Sequence, residues 1–160
     1  MIYSPNKNPN IDLAMTIRCL LVTVFIAVPS LGLAGLDLPS KVYSVADLEK
    51  AKAEASAKGK PLSILYTDKD STCPLCNGAA STMIKELGSK TVMVYARTTG
   101  ELPGNVKDAL RPGKYIPKIA VFDPSLETTL GAVTYESVKE DSRKAFREVE
   151  RAIRDYSKGS

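Results

Sequence analysis

The chain has 160 residues, 44% of them hydrophobic and 25% charged, enough for one domain with a real core and little more. Its net charge of +4 comes from 22 basic against 18 acidic side chains scattered along the sequence, with no basic stripe interleaved with aromatics, so nucleic acid is excluded as a partner. There is no histidine, which removes Ser-His-Asp and Cys-His catalysis, the helical zinc-protease pattern and the commonest ligand of catalytic metals.

In chain order, residues 19–28 (CLLVTVFIAV) form an apolar run directly after Arg18 and before Pro29-Ser30 and LGLAG. That order of positive charge, apolar stretch and small residues predicts a secretory signal peptide over residues 1–35, with Met15 as an alternative start and a cut near Ala34 or Gly35. The alternative is an uncleaved anchor, although ten apolar residues before a proline are short for a bilayer core of roughly 30 Å. A membrane enters only through this leader. Cleavage would remove Cys19, leaving Cys73 and Cys76 in a periplasmic or secreted protein, where a disulfide can persist.

The remaining residues, 36–160, read as a single domain. Residues 36–43 are an extended lead-in, and Ser44 with Asp47 forms a capping box for a helix through VADLEKAKAEASAK, stopped at Gly59. Residues 61–67 (PLSILYT) make a strand, and the polar loop DKDST leads to the cysteines. Pro74 suits the first turn of a helix whose buried face is Cys76, Ala80, Met83, Ile84 and Leu87, closed by Gly88. Residues 91–97 (TVMVYAR) are a second strand, followed by a short helix over 106–110 capped by Asn105. KIAVF, directly after Ile116-Pro117, is a third strand, and residues 129–135 form a fourth that pairs with it as a hairpin. Ser137 and Glu140 predict a capping box for a last helix, buried along Val138, Phe146, Val149, Ile153 and Tyr156.

Helices on both faces of a central mixed sheet of about four strands are the natural packing, an α/β class. Cys73-Pro74-Leu75-Cys76 at a strand-to-helix junction, with Ile116-Pro117 before the next hairpin, resembles the thioredoxin-like superfamily over about residues 42–156. The lead-in KGKPLSILYT resembles small exported bacterial members. The resemblance implies a thioredoxin-like fold, a cis bond at Pro117 facing the cysteines, and a substrate groove offered by Ile116, Pro117, Pro74 and Leu75. The sequence departs from the family at Thr72, where a tryptophan is usual, and at Thr67, where many members bury an acid and Asp68 stands one place off.

A thiol at a helix N-terminus meets free N–H groups and the positive end of the dipole, which favour the thiolate. Cys73 is therefore the expected nucleophile, and Cys76, one turn further along the apolar face, the resolving thiol. The predicted function is an exported thiol–disulfide oxidoreductase acting on protein thiols or disulfides, with no cofactor and no metal. Two alternatives stay open at this point. One is a non-catalytic binding module with a structural disulfide, worth about 2 kcal/mol for so small a loop. The other is a dithiol holding copper or zinc together with a partner. The client, the recycling partner and the direction of exchange do not follow from the sequence.

Overall fold

The computed structural model describes residues 35–159, so the leader up to Ala34, with Met15 and Cys19, lies outside the described residues. Strand β1 is short, Tyr43–Ser44; a 3-10 turn, Val45–Asp47, leads into α1, Leu48–Ala57. Then come β2 (Leu62–Thr67), α2 (Pro74–Leu87), β3 (Val92–Arg97), α3 (Gly104–Ala109), β4 (Lys118–Phe122), β5 (Thr129–Thr134) and α4 (Tyr135–Gly159). The sheet order is β1-β3-β2-β4-β5. β2 runs parallel to β3 and antiparallel to β4, and β4 and β5 form the expected hairpin. This is the mixed α/β arrangement that a thioredoxin-like fold requires. The sheet has five strands and not four, because Tyr43 and Ser44 of the lead-in pair with Val94 and Tyr95.

Alternation along the strands divides the core into two layers. Leu65, Met93, Ile119, Val121 and Val133 face α2 and α4, where Ala80, Met83, Leu87, Phe146, Val149 and Ile153 complete one cluster. Leu62, Ile64, Val92, Val94, Ala120 and Phe122 face α1 and α3. Ala51 and Ala55, one turn apart and fully buried, let α1 approach that face closely. Each fully buried large side chain, such as Leu65, Ile119 or Phe122, contributes roughly 2 kcal/mol by removal from water. Val138 and Tyr156, expected in the core of α4, are only half-buried.

The helix starts depart from the sequence expectations in three places. Ser44 makes no cap to the backbone; its hydroxyl donates instead to the Asp47 carboxylate at 2.8 Å. α3 begins at Gly104 behind Pro103, so Asn105 sits inside its first turn, with Nδ2 donating to the Leu126 carbonyl. α4 begins one turn ahead of the expected capping box. Thr134 Oγ1 accepts the Ser137 N–H at 3.2 Å, and non-helical Asp141 breaks the helix and recaps it by accepting the Lys144 N–H at 3.0 Å. At Ser44 and at the start of α4 the competing partner is a neighbour within one turn, which spacing alone does not rank; Asn105 is drawn instead to Leu126, 21 residues along the chain.

Candidate active site

Both halves of the site lie at one end of the sheet. The register pairs Thr67, the last residue of β2, with Arg97, and Tyr66 with Lys118, the first residue of β4. The chain leaving β2 toward the cysteines and the chain entering β4 from Ile116-Pro117 therefore share that edge. The Ile116–Pro117 bond is cis, as the resemblance implies; Pro117 is buried and Ile116 half-buried.

The cysteine turn is built from short-range bonds. Asp68 accepts the Asp70 N–H with its side chain at 3.1 Å and the Ser71 N–H with its carbonyl at 3.2 Å. Ser71 Oγ accepts the Cys73 N–H at 3.2 Å, while Asn77 Nδ2 reaches back to the Ser71 carbonyl at 2.9 Å. Three contacts tie this turn to the sheet and the lead-in: Lys69 N–H to the Tyr95 hydroxyl at 3.1 Å, Leu36 N–H to the Lys69 carbonyl at 2.8 Å, and the Arg97 guanidinium to the Asp70 carboxylate. Pro74 then occupies the first turn of α2, where no N–H is needed.

Cys73 is the N-cap of α2, and its sulfur accepts the Cys76 N–H at 3.3 Å. The two cysteines are free thiols with their sulfurs 2.6 Å apart, Cys76 donating to Cys73. These contacts split the pair. The Cys76 thiol and the N–H groups of Cys76 and Leu75 stabilise negative charge on Cys73, holding its pKa below the usual thiol value. Burial, reinforced by the charge and hydrogen bond of its neighbour, pushes Cys76 up to about 11. Cys73 therefore ionises before Cys76, and their titration belongs to the pair.

Thr67 is buried on the sheet face that α2 covers, as alternation from Leu65 requires. Its hydroxyl is no proton acceptor at neutral pH. Thr72 is exposed, and Leu75 stands 70% exposed beside the sulfurs. Pro74 and Leu75 also wall a groove of about 410 Å³ that runs between the start of α2 and Tyr135, Val138 and Lys139 of α4. Tyr115, 54% exposed, packs edge-on against Tyr135 with ring centres 6.2 Å apart.

Sequence reasoning missed the two charged residues that hold the proline loop. Lys118 is buried, and its Nζ donates to the carbonyls of Leu110 at 3.0 Å and Gly113 at 2.7 Å. Glu136 Oε1 accepts the N–H groups of Lys114 at 2.6 Å and Tyr115 at 2.9 Å. A lysine opening the apolar strand KIAVF was a readable signal for the first; nothing local marked the second.

No family model matches the sequence, and no curated protein matches it. Among solved structures, a DsbH oxidoreductase is similar at 15% identity and a TM-score of 0.43, covering 72% of this chain and 89% of that one. Likeness at that level says nothing of this chain's chemistry, which rests on its own residues. Among the described residues no cluster of three or more Cys, Asp or Glu groups is disposed to hold a metal ion, and no helix is long and apolar enough to cross a membrane.

Proposed function

We propose that the chain is an exported thiol–disulfide oxidoreductase that acts on protein disulfides through Cys73 and Cys76. The observation that carries the reading is the polarised pair: Cys73 favoured as thiolate at the helix cap, Cys76 held as thiol with its sulfur 2.6 Å away. The apolar run of residues 19–28 supports export to the periplasm or beyond.

In the reducing direction, the Cys73 thiolate attacks one sulfur of a substrate disulfide. That S–S bond breaks, its second sulfur leaves as a thiolate and takes a proton, and a Cys73–substrate mixed disulfide forms. Cys76 then loses its proton and attacks the Cys73 sulfur. The Cys73–Cys76 disulfide forms, the second substrate thiol departs, and two electrons have passed to the substrate. The oxidised pair runs the same steps backwards. Burial, which still raises Cys76 once Cys73 is in a disulfide, makes its deprotonation the demanding step in resolution, with no carboxylate at position 67 to assist. The polypeptide partner would lie along Ile116 and Pro117, with Pro74 and Leu75 as the apolar lip of the groove.

Insulin reduction with dithiothreitol as electron source tests this. The wild type should precipitate insulin faster than dithiothreitol alone, Cys73→Ser should fall to that background, and Cys76→Ser should accumulate a mixed disulfide through Cys73. A wild type no faster than dithiothreitol alone, with oxidation of reduced substrate equally absent, would refute the proposal.

A further inference from the structure

The backbone that leads to Ile116 and Pro117 has no regular secondary structure, yet it is gripped on both sides by charge. From β4, the Lys118 ammonium draws in the carbonyls of Leu110 and Gly113. From the start of α4, the Glu136 carboxylate draws in the N–H groups of Lys114 and Tyr115. The cation takes carbonyls and the anion takes N–H groups of the loop, so each bond is charge-assisted and the two grips fix successive peptide units.

Gly113 shows how closely Glu136 is fitted. Its φ of +79° suits glycine, and a Cβ there would fall 2.6 Å from Glu136 Oε2 and 3.0 Å from Thr134 Cβ. Oε2 itself is buried, with no hydrogen-bond partner among the described residues. A carboxylate with one oxygen shut away from water is unfavourable by itself and is kept in place by what its other oxygen holds. Burial raises the Glu136 pKa, but the N–H groups of Tyr115, of Glu136 itself and of Lys114 outweigh it and hold the carboxyl below its usual range. The bonds are thus made by the anion at neutral pH.

We propose that Glu136 is a positioning residue for disulfide exchange, setting the Ile116–Pro117 edge against the cysteines by holding the loop at Lys114 and Tyr115. The inference rests on the redox reading of Cys73 and Cys76. Glu136 touches neither sulfur nor substrate; it acts through the backbone it orients. Its removal leaves thiol chemistry intact and loosens the surface along which a polypeptide lies. A small disulfide has no use for that surface.

Three measurements on the intact protein decide it, with melting temperatures recorded for each variant. Glu136→Ala should raise the KM for insulin about tenfold with kcat little changed, the loss expected for charge-assisted bonds to two N–H groups. Its reduced form should react with 5,5′-dithiobis(2-nitrobenzoate) at the wild-type rate, and amide exchange at Lys114 and Tyr115 should speed up. Glu136→Gln retains an acceptor oxygen and should recover most of the KM. Unchanged KM in Glu136→Ala overturns the proposal, as does an equal fall in the small-disulfide rate, which would mark a general loss of structure. Should the alanine variant fail to fold, a glutamine variant in which Tyr115 exchange speeds up while KM stays at the wild-type value would overturn it. A wild type that leaves insulin untouched while its thiols react with the small disulfide would instead refute the redox function. In that case amide exchange alone decides the clamp, and unchanged rates at Lys114 and Tyr115 in Glu136→Ala overturn it.

Discussion

Residues 68–73 carry the chain out of β2 to the cysteines, and residues 110–117 carry it into β4; both sit at the same end of the sheet. The first turn is held mostly by neighbours: Asp68 to Asp70 and Ser71, Ser71 to Cys73, Asn77 to Ser71. Its ion pair of Asp70 with Arg97 is exposed on both sides. The second loop is held by a buried lysine and by a carboxylate that lies 21 and 22 residues beyond the N–H groups it binds. The two sulfurs are mounted on mostly local geometry whose charged groups are exposed. The surface beside them depends on charges that arrive only when β4, β5 and α4 have docked.

The largest expected contrast lies within the cysteine turn. Raising the pH ionises thiols, and a lowered pKa brings the Cys73 thiolate in earlier, whereas at pH 8 a thiol of pKa about 11 is ionised to about one part in a thousand. Iodoacetamide on the reduced protein should therefore modify Cys73 first by a wide margin, as read by peptide mapping at partial reaction. Comparable labelling of both residues at pH 8 would erase the polarity on which the proposed chemistry depends.

The next contrast is between the two loops. Lys118→Met keeps the aliphatic stem but strips two carbonyls of their donor, and should cost about 2 kcal/mol in urea unfolding. Arg97→Gln removes the exposed pair with Asp70 and a contact with the Tyr95 side chain, and should cost less than about 1 kcal/mol, less still at high salt. If the arginine variant lost as much stability as the lysine variant, the distinction between a locally held turn and a charge-held loop would collapse.

Much of the site was legible because its signals are local. Pro74 after Cys73 fixed a helix start that places the first thiol at the cap, and Gly59 took the positive φ of +57° expected of a helix stop. The β4 strand, Lys118–Phe122, coincides with KIAVF. Where two polar residues within a turn competed to cap a helix, spacing pointed to Ser137 and Glu140, but Thr134 and Asp141 do the work. Tyr43 and Ser44 offered too short a run to read as a fifth strand, and pairing with β3 made them one.

By itself, then, the sequence determined the α/β order, the two-layer core and a dithiol at a strand-to-helix junction, because periodicity, proline and glycine act over a few residues. Only the tertiary structure decided which charges hold the proline loop. Lys118 and Glu136 reach it from separate elements that meet only once the β4–β5 hairpin and α4 are in place, and a charge-assisted bond depends on distance in space, which residue spacing does not encode. The polarity of the cysteines lies between the two: the helix cap was written in the sequence, and the depth that pushes Cys76 up to about 11 came from packing.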